Sequence, residues 1–407
     1  MAEVGAVKAE RACVLHMQEF AEFGCCPAVR AGPWSGRGDD EHRVLAWHSS
    51  ILHGVTLRIA GPPRHATGGS SGRLWAGGSL ALGVTLEASG GIKTGVERYR
   101  AAVSAKSVVF SLCLDIRRPW QDVRSIGVSA DFAGWHCIYV PDHFMPHDAR
   151  NRPSPGPVLE AWSCLAALAV LTRQVRVGTL VLGSTYRHPA VVANMAATLD
   201  QISAGRLTLG LGAGWQTNEH CAYGIALPDV RERLDRFEEA CAVIRALTRD
   251  APTTYHGAYY AVQDAFCEPP PMQPALPILI GGGGERRTLA IAARFADAWH
   301  TWATSSEFGR KSRVLDRHCE AVGRAPNDVR RVCGATVRVA SAPGQTVVGT
   351  DDDGTVVGTA DAVAEAIDQY RQAGVEEFIV RDDAETPAAE AHDFLLQFQA
   401  EVVRQLR

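Results

Sequence analysis

The chain has 407 residues, of which 46% are hydrophobic, and a formal net charge of −4 at pH 7. So small a net charge argues against nucleic acid or an anionic membrane surface as a partner. The sequence has no apolar run of about 18 residues, so we expect no membrane span, and its N-terminus lacks the apolar core of a signal peptide.

The 11 cysteines are scattered, with one adjacent pair at Cys25–Cys26 and no C-x-x-C spacing. This pattern is typical of reduced thiols in a cytoplasmic protein rather than of a disulfide framework or a zinc site. The sequence also lacks H-E-x-x-H and comparable arrays. We therefore expect a cytoplasmic protein without a metal site.

Residues 1–106 differ from the rest of the chain in glycine content and in the spacing of their apolar residues. They hold 16 of the 39 glycines, and their short apolar pieces follow neither a strand period nor a helix period. We expect this segment to be a poorly ordered N-terminal extension, or upstream sequence included through a mistaken start site. The alternative is a small domain of unrecognised type.

From Val108 onward, strand-like and helix-like patterns alternate. Strands are predicted at Val109–Leu114, Cys137–Val140, Val175–Leu182, Arg206–Leu211, Pro277–Ile280, Ala298–Thr301, Arg331–Val339 and Glu377–Val380. Helices are predicted at Trp120–Phe132, Val158–Thr172, Ala190–Ile202, Arg231–Leu247, Leu289–Ala296, Glu307–Val322, Ala360–Ala373 and Ala388–Arg404. Such alternation over residues 107–407 is typical of a (β/α)8 barrel. The alternative is a doubly wound sheet, but no G-x-G-x-x-G turn follows the first strand.

Four consecutive glycines, Gly281 to Gly284, separate the predicted strand at Pro277 from the next helix. Glycine lets the backbone turn sharply and approach a ligand closely, and a helix N-terminus favours an anion. Arg286 and Arg287 in the first turn oppose the helix dipole, so we expect them to serve something negative. The stretch predicts a phosphate cradle; the alternative is an ordinary left-handed connection in a βα unit, and the stretch alone supports both equally.

Other strand ends carry further candidates, because barrel active sites lie at the C-terminal ends of strands. The second strand runs into Asp142 and His143. His143 is the acid/base candidate, since the intrinsic pKa of an imidazole lies near neutrality and Asp142 is expected to bias its environment. The alternative for this pair is loop capping. Trp215, Trp299 and Trp302 are candidates for the wall of a planar site, although Trp299 fits the core better.

Four segments together resemble the luciferase-like monooxygenase superfamily, and within it the bacterial F420-dependent oxidoreductases. They are GWHCIYVPDHF (134–144), TLVLGSTYRHPAVVANMAATLDQISAGRLTLGLGAGW (179–215), PILIGGGGERRTLAIAARFADAW (277–299) and VVGTADAVAEAIDQYRQAGVEEFIV (356–380). The resemblance covers about three quarters of the chain and implies a (β/α)8 barrel that binds a flavin or deazaflavin.

The resemblance also implies roles for individual residues. Asp142 and His143 would contact the cofactor ring, with His143 as acid/base, and a bulge near Leu180–Val181, often with a non-prolyl cis peptide, would back the ring. The rest of the predicted cofactor set comprises Gly183, Gly212, Gly214, Trp215, Asn218, Gly281, Gly282, Gly283, Gly284 and Glu285. Some sugar-phosphate-oxidising relatives carry an acidic proton donor where this chain has Trp215, so the donor stays unassigned.

These features predict an F420-dependent enzyme that transfers a hydride between the deazaflavin and a small organic substrate. An FMN-dependent monooxygenase is the alternative among enzymes, and a non-catalytic flavin-binding barrel is the alternative from another class. The substrate stays unnamed because variable loops line its site, and a homodimer is left open.

Overall fold

A computed structural model describes residues 108–250, 252–339, 347–348 and 355–406. The interpretation of residues 1–106 as an extension lies outside the described residues.

The core of the fold is a closed ring of eight parallel strands, which confirms the predicted (β/α)8 barrel. The ring strands are β1 (Val109–Cys113), β2 (Cys137–Val140), β3 (Arg176–Thr179) with its continuation β4 (Leu182–Gly183), β5 (Leu207–Gly212), β8 (Ile278–Gly281), β9 (Ala298–Trp302), β10 (Arg330–Val339) and β13 (Glu377–Arg381). Four further strands lie outside the ring: β6 (Thr253–His256) and β7 (Ala261–Ala265) form an antiparallel hairpin, and β11 (Val347–Val348) and β12 (Val356–Gly358) are short. The ring runs β1-β2-β3-β5-β8-β9-β10-β13 and closes where Val109 of β1 lies opposite Glu377 of β13.

Helices cover the outside of this ring. They are α1 (Trp120–Phe132), α2 (Ala161–Leu171), α3 (Pro189–Ile202), α4 (Thr217–Tyr223), α5 (Val230–Leu247), α6 (Thr288–Phe295), α7 (Ser305–Ala321), α8 (Ala360–Gln372) and α9 (Ala388–Gln397). None of the helices in the described ranges is long and apolar enough to cross a lipid bilayer.

Most predicted boundaries agree with the structure to within two residues, but three predicted elements differ more than that. Helix α2 begins at Ala161 rather than Val158 because the Glu160 side chain caps it, accepting hydrogen bonds from the N–H groups of Trp162 and Ser163. The third strand is broken at the cis peptide between Leu180 and Val181. The last predicted helix changes at Phe398 into a π turn and then a 3-10 turn, and α4 was not predicted at all.

Two of the three apolar clusters in the described residues form most of the core. A large cluster fills the space between the strands and the surrounding helices, and it includes Trp299, which is fully buried and stacks on Phe308 with ring centroids 5.1 Å apart. The predicted core position of Trp299 is therefore confirmed. A smaller cluster fills the inside of the barrel and includes Tyr139 and Ile379, as expected for alternate residues of each strand.

Strands β3 and β5 are held at an unusually close approach by Thr179 and Gly210. The Thr179 hydroxyl donates to the Gly210 carbonyl at 2.7 Å and accepts from the Gly210 N–H at 3.1 Å. A Cβ atom on Gly210 would lie 1.8 Å from the Thr179 carbonyl oxygen, so no side chain fits there without moving the backbone.

We expect Gly210→Ala to lower the free energy of unfolding by about 3 kcal/mol or more, because overpacking against backbone cannot be relieved by a rotamer change. The control is Gly309→Ala in α7, where the new Cβ would meet Ala373 at an ordinary 3.6 Å. That change should stabilise the helix by about 0.5–1 kcal/mol. Chemical denaturation of both variants measures the effect; equal stabilities would contradict the close approach of β3 and β5.

Candidate active site at the C-terminal end of the barrel

A cavity of about 1110 Å³ opens at the C-terminal ends of the barrel strands. Its lining includes eleven of the predicted site residues: Asp142, His143, Leu180, Val181, Gly183, Gly212, Gly214, Trp215, Gly281, Gly282 and Gly284. Asn218, Gly283 and Glu285 were also predicted but lie outside the lining that the described residues form. The structure thus gathers most of the predicted set around one space.

His143 lies directly after β2 and is hydrogen-bonded to a carboxylate that comes from α4. Its Nδ1 lies 2.8 Å from Glu219 Oε1, and the Glu219 side chain is fully buried. Glu219 also accepts hydrogen bonds from the Phe144 N–H at 2.7 Å and from the Tyr186 hydroxyl. Burial favours the protonated acid, but the hydrogen bonds from His143, Phe144 and Tyr186 outweigh it and hold the pKa of Glu219 below its ordinary value.

Asp142 does not contact the imidazole, although it is the neighbour of His143 in the chain. Its buried carboxylate accepts from the Gly183 N–H at 3.0 Å and from both terminal nitrogens of Arg187 at 2.8 and 3.2 Å. Arg187 also binds Glu160 at 2.8 Å. The expectation that Asp142 sets the environment of His143 is therefore corrected: Glu219 holds the ring, and Asp142 joins β2 to β4.

The predicted bulge between β3 and β4 contains the cis Leu180–Val181 peptide, and its Val181 side chain lies across two glycines. A Cβ atom on Gly212 would lie 2.5 Å from one Val181 methyl group, and one on Gly281 would lie 2.8 Å from the other. At Gly214, where φ is +79°, a Cβ would meet Thr185 at 2.6 Å. These glycines thus make room for side chains of the protein itself as well as bordering the cavity.

The Gly281–Gly284 turn has two backbone donors directed to no protein group. The Gly282 N–H donates to the His300 carbonyl at 2.9 Å, whereas the N–H groups of Gly283 and Gly284 have no hydrogen-bond partner among the described residues. Free N–H groups at such a turn suit an anion.

The charged residues beside this turn bind charges on neighbouring helices. Helix α6 begins at Thr288, so Arg287 precedes it, and Arg287 binds Asp235 at 2.7 Å and Glu238 at 3.2 Å on α5. Arg287 therefore serves negative groups, as expected, but these groups belong to the protein. Glu285 binds Arg310 at 2.8 Å, and its contact with a cofactor stays a prediction.

Asn218 was also predicted to contact the cofactor. It is fully buried on α4, where its amide nitrogen donates to the carbonyl groups of Pro146 and Arg152, both at 3.1 Å. Asn218 thus anchors the loop that follows β2. His188, in contrast, accepts from the Ala190 N–H at 3.2 Å and so caps the start of α3.

Sequence reasoning missed Arg233, the fourth residue of α5. It lines the cavity, its Nε atom is buried without a partner, and no carboxylate lies within 4.0 Å of it among the described residues. The other arginines of the lining are engaged: Arg117 by Asp115, Arg338 by Asp383, and Arg381 over the Trp302 ring at 4.2 Å. Only its spacing from Val230 and Leu234 on the same helix face could have indicated this position.

His300, which was not among the predicted site residues, also lines the cavity and belongs to β9. The side chain is buried, and burial lowers the pKa of His300 to about 3, so the imidazole is neutral near pH 7. Its Nε2 atom is buried and has no hydrogen-bond partner in the described part of the chain. The cavity wall opposite the His143–Glu219 pair therefore contains a polar but uncharged imidazole.

A ring of eight strands with a cavity at its C-terminal end is typical of the (β/α)8 class of enzymes and binding proteins. Within this class, the profile of the luciferase-like monooxygenase family matches residues 97–347. The chain belongs to the luciferase-like monooxygenase family, which confirms the resemblance seen in the sequence.

Curated relatives share part of the chain. An F420-dependent glucose-6-phosphate dehydrogenase of Microbacterium testaceum is 37% identical over 214 residues, which is 51% of this chain and 61% of the relative. The enzyme of the same description from Beutenbergia cavernae is 37% identical over 180 residues, 44% of this chain and 52% of the relative. The chain thus spans only about half to three fifths of the length of these curated relatives.

Solved structures share the fold. An F420-dependent secondary alcohol dehydrogenase in complex with an F420–acetone adduct has a TM-score of 0.62 at 21% identity, covering 74% of this chain and 99% of that one. The F420-dependent tetrahydromethanopterin reductase of Methanopyrus kandleri has a TM-score of 0.63 at 18% identity, with coverage of 74% and 100%. The monooxygenase RslO1 of Streptomyces bottropensis gives 0.62 at 20% identity, again with 74% and 100%.

We expect Glu219→Gln to lower the free energy of unfolding at pH 7 by about 1–3 kcal/mol, because three donors lose a charged acceptor. A carboxylate whose folded pKa is depressed stabilises the fold above its unfolded pKa, near 4.5, and this contribution is lost as the pH falls through the lower folded value. The difference between wild type and variant should therefore be full at pH 7 and shrink below about pH 4.5. Denaturation at several pH values measures it.

The matched control is Glu320→Gln at an exposed position of α7. Its difference from wild type should stay near zero over the same pH range. A stability difference for Glu219→Gln that does not change with pH would show that Glu219 carries no charge in the folded protein.

Proposed function

We propose that the chain is an F420-dependent oxidoreductase that transfers a hydride between a deazaflavin and a small organic substrate. The observation that carries this proposal is the His143–Glu219 pair, with 2.8 Å between Nδ1 and Oε1, at the edge of a cavity bordered by glycines. The names of the relatives at 37% identity, both F420-dependent, support the cofactor.

The lining residues fit such a cofactor. Arg233 and the free N–H group of Gly284 suit a phosphate at one end of the cavity, and the free N–H group of Gly283 lies next to this lining in the chain. The bulge at Leu180–Val181 offers an apolar surface to a flat ring. Since these features serve FMN equally well, an FMN-dependent monooxygenase is the second candidate, supported by the likeness to a monooxygenase structure.

His143 is the residue we propose to move the proton. A bound deazaflavin supplies a ring carbon that gives or takes the hydride, and the substrate atom must exchange a proton at nearly the same time. Glu219 occupies Nδ1, so Nε2 of His143 is the atom left for that exchange. The depressed pKa of Glu219 keeps it negative near neutral pH, and this charge stabilises the imidazolium that forms when His143 takes the proton.

Trp215 lies where it can shield this proton transfer. Its ring meets His143 edge-on at 5.6 Å and also contacts His147 at 5.0 Å, while half of the side chain stays exposed. An indole over the imidazole limits the access of water to the reacting atoms. We propose Trp215 as a shield rather than a proton donor, because the indole N–H is not acidic in water.

Equilibrium titration of the protein with F420 and with FMN, followed by fluorescence, tests the cofactor. We expect F420 to bind at least tenfold more tightly, a difference of about 1.4 kcal/mol. Turnover should then be followed in air and without oxygen, because hydride transfer alone needs no oxygen. Tighter binding of FMN with oxygen-dependent turnover would favour the monooxygenase, and cofactor binding without turnover of any substrate would favour a non-catalytic barrel.

Replacing His143 by Ala should lower kcat by about 10²–10⁴-fold, the usual contribution of a positioned acid or base. Affinity for the cofactor should stay within roughly tenfold, because the ring and phosphate contacts remain. The control is His392→Ala, which removes a histidine that binds Ser129 between α1 and α9, outside the cavity lining. Lost cofactor binding with kcat preserved at saturation would instead make His143 a residue that positions the ring.

A further inference from the structure

The start of α5 and the glycine turn before α6 border the same end of the cavity, through Val230, Arg233, Gly282 and Gly284. Most acidic residues around this border are engaged with other arginines. Asp229, which caps α5 and has no ion pair among the described residues, leaves one negative charge against Arg231, Arg233 and Arg286. Asp235 and Glu238 bind Arg287, and Glu285 binds Arg310. The carboxylates here therefore neutralise other arginines and leave the border with excess positive charge.

Two exposed arginines join Arg233 at this border. Arg231 lies in the first turn of α5, and Arg286 directly follows the glycine turn. Neither has an ion pair within 4.0 Å in the ranges that the structure describes. Unpaired exposed arginines are individually common, but these two lie at the border that Arg233 lines, and the buried Nε of Arg233 has no partner in the described part of the chain.

The geometry of α5 places Arg231 on the side of the helix that meets the segment after the glycine turn. Residues four and seven positions apart share a helix face, so Arg231 lies on the same face as Asp235 and Glu238. That face contacts Arg287, the neighbour of Arg286. Arg231 and Arg286 thus lie on the outer side of the border, and Arg233 on its cavity side.

We propose that Arg231 and Arg286 form a carboxylate-binding subsite for the part of the cofactor that extends beyond its phosphate. The proposal rests on the proposed function, in which Arg233 and the glycine turn receive the phosphate. A single phosphate needs no more than the charge of Arg233 and two N–H groups, and the guanidinium fork is the side chain best matched to a carboxylate. F420 continues past its phosphate into a chain of carboxylates, whereas FMN ends at the phosphate, so this subsite would favour F420.

The test compares the double variant Arg231→Gln/Arg286→Gln with wild type in equilibrium binding, without turnover. The probes are F420 with its glutamate residues, F420 lacking them, and FMN. We expect the double variant to bind glutamate-bearing F420 about fivefold to tenfold more weakly, since exposed ion pairs contribute modestly. Affinity for the other two probes should change less than about twofold, and the wild-type preference for the glutamate-bearing form should shrink in high salt.

The control variant is Arg173→Gln, because Arg173 is exposed and precedes β3 at the opposite end of the barrel. It should bind all three probes as wild type does. Unchanged binding of glutamate-bearing F420 by the double variant would overturn the subsite, and so would an equal loss for all three probes. Wild-type protein that binds neither form of F420 would overturn the proposed function itself, an outcome distinct from a failure of the two arginines.

Discussion

The buried carboxylate of Glu219 is the constraint on which the candidate active site depends. One carboxylate accepts hydrogen bonds from His143 and Phe144 after β2 and from Tyr186 after β4, while its own backbone belongs to α4 after β5. The segments that follow β2, β4 and β5 are thereby held together by one carboxylate, although they are far apart in sequence. Leaving such a carboxylate without its donors is costly in a buried site, so the loops and the orientation of His143 are specified together.

A second buried carboxylate, that of Asp142, fixes the strand ends beneath the cavity. Asp142 binds the Gly183 N–H and Arg187, so it fixes the end of β2 to β4 beyond the bulge. Val181 then lies over Gly212 and Gly281, where any side chain would collide with it. The glycines, the bulge and the two buried acids form one packed unit, and the cavity has its shape because these groups leave no other arrangement of the strand ends.

The charges around the cavity are distributed unevenly. Arginines 117 and 338 are balanced by carboxylates, and His300 is neutral because burial lowers its pKa to about 3. The border at the start of α5 instead presents Arg233 without an ion pair among the described residues. A ligand with one anionic end and one uncharged planar end matches this division, as a flavin or deazaflavin phosphate does.

The sequence by itself determined the barrel, because the strand and helix periods and the glycines at strand ends are local properties of the chain. The strand end also indicated His143, whereas the bulge at Leu180–Val181 was implied only by the resemblance to the family. Only the tertiary structure decided that Glu219 rather than Asp142 holds His143, that Arg287 and Glu285 are neutralised by neighbouring helices, and that Arg233 faces the cavity. Those outcomes depend on side chains that are distant in sequence and on which face a helix presents, and no local pattern encodes either.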